Sequence, residues 1–196
     1  MKELNIRAII RRKRKKLPKV PEAIIAENIL NRDFAASAPN QKWVADVTQL
    51  RFGWKPLYLC TILDLFNNEV VAYTVGNHNS AEFVIGTFKH AIAGKKIEKL
   101  IFHSDRGANF TSKRFQETLL EYGIEPSMSR TGNCWDNACI ESFFSHLKAE
   151  TFYLENLQTE AEIRKAISRY IHWYNNERIQ LKLGSSPVAY RRRNAA

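Results

Sequence analysis

Three acidic residues, Asp46, Asp105 and Glu141, could act together on a phosphodiester bond. Asp46 interrupts an otherwise apolar segment, where burying an unpaired charge would be costly. Asp105 follows a second apolar run, and Glu141 stands at the edge of the apolar face of a predicted helix. Carboxylates are hard oxygen ligands for Mg²⁺, and two metal ions about 4 Å apart can activate an attacking oxygen and stabilise a leaving one. We therefore predict a two-metal site, although a cap, a turn or a salt bridge would also explain each acid taken alone.

The charge balance favours nucleic acid as a partner. Thirty Lys and Arg residues face twenty Asp and Glu residues, which gives a net charge of +10 and an isoelectric point near 9.6. Neutralising backbone phosphates releases counterions, so a chain this basic gains by binding them. A soluble protein with a basic tail would show the same numbers. No run of about 18 apolar residues is present, so no membrane association is expected.

The cysteines favour a reducing compartment. Cys60, Cys134 and Cys139 are odd in number and lack the spacing of zinc ligands. We interpret them as reduced packing residues of a cytoplasmic protein. The basic run at residues 11–16 is not followed by an apolar core, so it does not have the pattern of a secretory signal.

The chain divides into three segments by composition. Residues 1–40 carry the basic run, two prolines and an Ala- and Ser-rich stretch. They are predicted to be a basic N-terminal extension, which either tracks phosphates or remains a solvated linker. Residues 41–155 are expected to form the catalytic core, and residues 156–196 a C-terminal helical extension.

Hydrophobic periodicity predicts an α/β domain. Strands are expected at residues 42–50, 57–64, 69–75, 97–102 and 124–128, and helices at residues 80–93, 112–122, 137–150 and 159–175. The first three strands form an antiparallel meander and the others alternate with helices. This order predicts a five-stranded mixed sheet with helices on both faces. Ser80 is expected to cap the first helix, and Asp136 is expected either to cap the third helix or to contact the substrate.

The segments around the three acids resemble the catalytic core of retroviral integrases and bacterial transposases. They are most similar to the second reading-frame product of IS3-family insertion sequences. Thirty-five residues separate Asp105 from Glu141, as in the DD(35)E group, and the resemblance covers roughly residues 40–192. The matching segments are Trp43–Thr48, His103–Gly107, Asn109-Phe110, Ser129-Arg130, Gly132–Ala138, Glu141–Phe144, Leu147-Lys148, Tyr174-Asn175, Arg178, Ser186-Pro187 and Tyr190-Arg191.

The resemblance implies an RNase H-like fold and the catalysis of DNA strand transfer at transposon ends. It implies that Asp46, Asp105 and Glu141 are catalytic and hold two Mg²⁺ ions, for which Mn²⁺ can substitute. The implied partners are transposon ends, target DNA and further copies of the chain assembled on DNA, at the nucleoid of a bacterial cytoplasm. Family members usually carry a helix-turn-helix ahead of the core. We expect that element in an upstream segment or in another polypeptide.

Further residues are candidates for contact with DNA or for support of the acids. His103 and Ser104 adjoin Asp105 and are expected to support it, whereas Asp64 is expected to serve structure. Trp135 is expected to stack on a base or to pack internally. The expected DNA contacts are Lys148, Arg106, Arg130, Asn133, Trp135 and Asn137.

Two other functions fit parts of the sequence. A ribonuclease H or resolvase-type nuclease on the same fold would need a fourth acid near the metals, and none after Glu141 is in an obvious ligand position. A truncated DNA-binding regulator without activity is the alternative from another class. Joining of DNA ends distinguishes the predicted transposase from both.

Overall fold

The computed structural model describes residues 23–52, 55–152, 155 and 157–195. The basic run at residues 11–16 lies outside the described residues. Within them, the strands are β1 (Lys42–Phe52), β2 (Lys55–Asp64), β3 (Glu69–Gly76), β4 (Ile101–Ser104) and β5 (Glu125–Met128). They form one sheet in the order β3-β2-β1-β4-β5.

Strand direction divides the sheet into two halves. β1, β2 and β3 form an antiparallel meander, whereas β4 pairs parallel to β1 and β5 pairs parallel to β4. The predicted five-stranded mixed sheet is therefore confirmed. The parallel pairing sets the middle of β1 beside the carboxyl end of β4, and active groups of open α/β sheets collect at the carboxyl ends of strands.

The helices are α1 (Ala81–Ile92), α2 (Lys113–Glu121), α3 (Ala138–Leu147), α4 (Glu160–Asn176) and α5 (Pro187–Asn194). Three of these five helices begin at a side-chain cap. The hydroxyls of Ser80 and Ser112 accept from backbone N–H groups in the first turn of α1 and α2, and Thr159 forms a capping box with Glu162 at α4. Gly123 follows α2 with a φ of 66°, a left-handed conformation that suits glycine.

Each face of the sheet carries its own core. On one face, Trp43, Ala45 and neighbouring strand residues pack against α1 and α2. On the other face, Val44 and its neighbours pack against the apolar stripes of α3 and α4. The alternation of side chains along β1 explains how consecutive residues serve opposite cores. Cys60 is buried in the first core and is a free thiol, as is half-buried Cys139.

Two predicted boundaries were wrong. β4 begins at Ile101 rather than at residue 97, because only Ile101–Ser104 pair with both neighbouring strands. Leu100 is buried from the preceding loop, so its apolar character gave a false strand signal. The predicted helix at residues 137–150 is in three parts: a 3₁₀ turn at Cys134–Asn137, then α3, then a π-helical turn at Lys148–Phe152.

The free edge of β3 is covered by α4. The side-chain amide of Asn175 accepts from the backbone N–H of Val70 and donates to its carbonyl oxygen, both at 2.9 Å. Arg164 donates to the carbonyl oxygen of Val75 at 2.8 Å. Both contacts satisfy backbone groups that an edge strand would otherwise present to water.

Residues 23–40 run along the outside of the domain. The N–H of Ile24 donates to the carbonyl oxygen of Thr111, and the N–H of Met128 donates to that of Glu27. Leu30 is buried in the core beneath α3 and α4. The segment boundaries at residues 40 and 155 stay predictions. No helix among the described residues has the length and apolarity needed to cross a membrane.

Candidate active site

Asp46 and Asp105 lie side by side at the point where β4 ends. In the parallel pairing of β1 with β4, Ala45 is the partner of Ser104, so the next residue on each strand is an aspartate. Neighbouring strands lie about 4.8 Å apart, which brings the two aspartates close together at the carboxyl end of β4. The register of the sheet therefore joins two residues that are far apart in sequence.

The pocket disfavours the charged form of Asp46. Burial, followed by the negative charge of Asp105 and then that of Glu141, raises the pKa of Asp46 to about 7. The N–H of Val47 donates to its carboxylate at 2.7 Å and, with the charge of Lys148, lowers that pKa in part. Asp105, Glu141 and Lys148 therefore all influence the pKa of Asp46.

A tight turn holds the carboxylate of Asp105. The N–H of Gly107 donates to Oδ1 of Asp105 at 2.9 Å, and burial raises the pKa of Asp105. A Cβ at residue 107 would stand 3.0 Å from Asp105 Oδ1 and 2.6 Å from Asn109 Oδ1. Only glycine lets the backbone approach the carboxylate this closely.

Glu141 is presented by α3, which packs against β1. Ile140, Phe143 and Leu147 are buried, whereas Glu141 is exposed beside this stripe. At the start of the helix, Asn137 Nδ2 donates to the carbonyl oxygen of Ala45 at 3.4 Å, next to Asp46. Glu141 follows one helical turn later, so this contact ties the helix to the strand that carries Asp46.

The donor set suits a hard divalent cation. Each of the three acids offers carboxylate oxygens, and the two aspartates each use one oxygen for a backbone N–H. Among the described residues, no three His, Cys, Asp or Glu side chains are gathered closely enough to hold a metal on their own. Mg²⁺ commonly takes one or two carboxylates and completes its shell with water and phosphate oxygens, so the paired aspartates fit it.

The ring of His103, a residue of β4, lies against Ser127 of β5 and against Ser129. Its Nδ1 lies 2.8 Å from Ser127 Oγ and its Nε2 lies 3.1 Å from Ser129 Oγ. Burial lowers the pKa of His103 to about 4, so the ring is neutral at physiological pH. Ser104 donates to the carbonyl oxygen of Asp105 at 3.1 Å. These contacts suit the predicted support of Asp105, which stays a prediction.

The residues that are predicted to contact DNA differ in their exposure and in their hydrogen-bond partners. Lys148 is half-buried and close enough to Asp46 to lower its pKa. Exposed Arg106 donates to the carbonyl oxygen of Ser129 and to Thr131 Oγ1. Trp135 is 68% exposed, which is contrary to internal packing. Asn137 is buried against β1, and its role as a DNA contact stays a prediction.

Asp136 has a different role from the predicted helix cap. It lies inside the 3₁₀ turn, and no side-chain cap is formed at α3. Its buried carboxylate accepts from Asn28, Arg32 and Arg130, a group called here the Asp136 cluster. The Arg130 guanidinium is the main cause that holds the pKa of Asp136 well below its usual range. Sequence reasoning missed Arg32 because no local pattern links residues 104 positions apart.

Asp64 serves structure, as predicted. Its side chain is buried, and its oxygens accept from the N–H groups of Asn40 and Phe66 at 2.8 and 3.0 Å. It lies opposite Trp43 in the β1–β2 pairing, three residues before the position of Asp46. The carboxylate of Asp64 therefore holds together the backbone segments before β1 and after β2.

The fold and the paired aspartates define an integrase core. The integrase core domain family matches residues 36–134, and a second integrase core family matches residues 141–194. Solved structures agree. The HTLV-2 integrase catalytic core in complex with magnesium aligns with a TM-score of 0.64 and 22% identity, over 79% of this chain and 97% of that one. A chain of the simian T-cell lymphotropic virus intasome in complex with PP2A regulatory subunit B56 gamma aligns with a TM-score of 0.70 and 18% identity, over 87% of this chain and 58% of that one.

Curated relatives narrow the class. The putative transposase InsK of IS150 from Escherichia coli K12 is 42% identical over 97% of this chain and 68% of its own length. A transposase-like protein of Haemophilus influenzae is 46% identical over 85% and 78%. The transposase InsF of IS3A, also from E. coli K12, is 36% identical over 88% and 61%. The chain belongs to the IS3 family of insertion-sequence transposases, which carry a DDE-type integrase core.

Proposed function

We propose that this chain cleaves and joins DNA strands at the ends of an insertion sequence, with Asp46, Asp105 and Glu141 as catalytic residues that hold two Mg²⁺ ions. The observation that carries the proposal is the register that sets Asp46 beside Asp105. The raised pKa of Asp46 adds to it, because a pocket that penalises its own negative charge is suited to a cation. Mn²⁺ is expected to replace Mg²⁺.

The reaction would proceed in two displacements at phosphorus. In the first, water attacks the phosphorus next to the element end, the bond to the 3′-oxygen breaks, and a free 3′-hydroxyl results. In the second, that hydroxyl attacks a phosphorus of another strand, whose own 3′-oxygen leaves. Bound divalent ions would supply the acidity that activates the attacking oxygen and the charge that stabilises the leaving one.

The residues of the chain would hold the reactants in place. Asp46 and Asp105 form the paired anionic wall, and the backbone N–H groups of Val47 and Gly107 keep their carboxylates oriented. Glu141 closes the pocket from α3. Lys148 would bind a phosphate beside the acids, and exposed Arg106 and Arg130 would bind the backbone further out. Trp135, exposed on the adjoining turn, would stack on a base, and Asn133 would lie along the same strand.

Assembly on DNA is part of the proposal. The net charge of +10 opposes association of free copies, and DNA phosphates would remove this repulsion. We expect a homo-oligomer that forms on element-end DNA, with a helix-turn-helix supplied from an upstream segment or a separate polypeptide. Sedimentation of the chain with and without an end duplex would measure this assembly.

The decisive experiment is a strand-joining assay with labelled duplexes that carry the ends of the genetic element encoding the chain. With Mg²⁺ or Mn²⁺, the wild-type chain should release a 3′-hydroxyl and form joined products. Asp46→Asn, Asp105→Asn and Glu141→Gln should each abolish joining, whereas Glu121→Gln, an exposed acid on α2, should not. Joining that persists in all three variants would refute the assignment. DNA binding without cleavage or joining would indicate a regulator.

A further inference from the structure

The Asp136 cluster joins two distant parts of the chain through one carboxylate. Arg32 Nε donates to Asp136 Oδ1 at 2.8 Å, and Arg130 donates to both carboxylate oxygens at 2.8 and 2.9 Å. Asn28 Nδ2 donates to Oδ2 at 2.9 Å. The carboxylate is inaccessible to solvent because these donors cover it, while the arginine side chains remain 45% and 48% exposed. One acid therefore fastens residues 28–32 to the loop between β5 and α3.

Arg32 reaches this carboxylate from an unusual turn. Asn31 and Arg32 have φ angles of 41° and 63°, and the N–H of Asp33 donates to the carbonyl oxygen of Leu30 at 2.7 Å. Left-handed backbone is uncommon for residues other than glycine, so other contacts must hold the turn. Burial of Leu30, and its N–H donated to Ser127 Oγ at 3.1 Å, provide them.

The Arg32 guanidinium is committed to the loop by two bonds. Besides its contact with Asp136, its terminal nitrogen donates to Asn133 Oδ1 at 2.8 Å. Asn133 and Asp136 flank exposed Trp135 in the 3₁₀ turn. A planar guanidinium can bridge two acceptors in this fixed geometry, whereas the single ammonium of a lysine has no such fork. The contact therefore fixes the shape of the turn as well as its charge.

The loop that Arg32 fastens leads directly to Glu141. Asn137 follows Asp136 and donates to the carbonyl oxygen of Ala45, the neighbour of Asp46. The first turn of α3 then carries Glu141 toward Asp46, whose pKa it raises. A shift of the turn would consequently change the distance between Glu141 and the two aspartates.

We propose that Arg32 is a positioning residue for Glu141, acting through Asp136, so that residues 23–34 form a strap that belongs to the active site. The whole of this strap lies outside residues 36–134, the stretch that the integrase core family matches. The proposal rests on the catalytic role proposed for Glu141. It also assigns Asp136 a function, since the acid transmits the position of the strap to α3.

The test compares Arg32→Ala, Arg32→Lys, Asp136→Asn and the Arg32→Ala/Asp136→Asn double variant in the full chain. Arg169→Ala is the matched control, because Arg169 also forms an ion pair with an acid but lies on α4. For each variant, kcat of strand joining and Kd for an element-end duplex are measured at saturating Mg²⁺. Hydrogen exchange of the amides at residues 133–141 is followed without DNA or metal.

Arg32→Ala should lower kcat about 10- to 100-fold with Kd little changed, since small displacements of catalytic groups have effects of this size. Exchange at residues 133–141 should become faster, Lys should rescue neither property, and the double variant should be no worse than Asp136→Asn alone. Because Arg32 is half-exposed, its variants keep the test valid if Asp136→Asn fails to fold.

Wild-type kcat and exchange in Arg32→Ala would overturn the proposal. A raised Kd with unchanged exchange, restored by Arg32→Lys, would also overturn it and make Arg32 a simple phosphate contact. If the wild-type chain joins no DNA, the proposed function fails, yet the exchange measurements still decide whether Arg32 orders the turn.

Discussion

Asp46 and Asp136 are both withdrawn from solvent, yet their surroundings are opposite. Asp136 meets two guanidiniums and an amide, and its pKa lies well below the usual range. Asp46 is largely buried beside the negative charges of Asp105 and Glu141, and its pKa is raised to about 7. A carboxylate whose charge is balanced inside the protein contributes to the fold. A buried carboxylate whose charge is not balanced by the protein lowers the stability of the fold and is suited to binding a cation from solution.

The largest expected effect is on strand-joining activity, which substitution of Asp46 should lower more than substitution of Asp136. Asp46→Asn should reduce strand joining by about 10³-fold or more, because it removes one of the proposed metal ligands. Asp136→Asn should reduce it by about 10- to 100-fold, since it only displaces the turn before α3. Single-turnover joining at saturating DNA measures both rates. Equal losses of joining rate in the two variants would contradict the different roles of Asp46 and Asp136.

Substitution of Asp136 and substitution of Asp46 should change the free energy of unfolding in opposite directions. Asp136→Ala leaves two arginines without their acid and should destabilise the protein by about 2 to 3 kcal/mol. Asp46→Asn should instead stabilise the metal-free protein by about 3 kcal/mol at pH 8, because it removes a buried charge. Urea unfolding in the presence of EDTA measures both changes, with Glu121→Gln as the neutral control. A metal-free Asp46→Asn protein less stable than wild type would contradict the comparison.

The pH dependence should follow from the same two shifts. Asp46 binds its proton more tightly when folded, so its contribution is most favourable below pH 3.8 and is lost as the pH rises from there to about 7. Asp136 has a lowered folded pKa, so its contribution is present above pH 3.8 and is lost as the pH falls below that value. Between pH 4 and 8, the free energy of unfolding of the metal-free wild type should fall more steeply with rising pH than that of Asp46→Asn. Added Mg²⁺ should reduce that decline.

The smallest expected effect concerns the turn beside Asp105. Gly107→Ala introduces a Cβ that crowds Asp105 Oδ1 and Asn109 Oδ1, so the carboxylate must move by a few tenths of an ångström. We expect an increase of about tenfold in the Mg²⁺ concentration needed for half-maximal joining, with little loss of stability. Gly86→Ala on α1 is the matched control, since a Cβ there meets no atom within 4 Å. Equal metal requirements in the two variants would refute a special role for Gly107.

The sequence predicted those features that rest on local patterns. Ser80 caps α1 because its hydroxyl stands just before a periodic apolar stripe. Asp46 was identifiable as an acid in an apolar strand, and the flanking segments placed Asp105 and Glu141 in the same site. The pairing of Ala45 with Ser104 explains why these local signals converge.

The features that the sequence did not predict depend on distant contacts. An aspartate before a helix is a common cap, so Asp136 was misassigned. Its actual partners include Arg32, 104 residues away, which no periodicity connects to it. The start of β4 was misplaced because Leu100 is buried from a loop, and burial alone does not distinguish a loop from a strand.

The cover that α4 gives to β3 has a consequence for handling the protein. Asn175 occupies the hydrogen-bonding groups that a further strand would use at Val70, and Arg164 occupies one at Val75. A fragment that ends before α4 would offer a bare strand edge together with the apolar residues of the lost interface. Such fragments would pair edge to edge and precipitate, so expression of an isolated catalytic domain should keep the chain at least to Asn176.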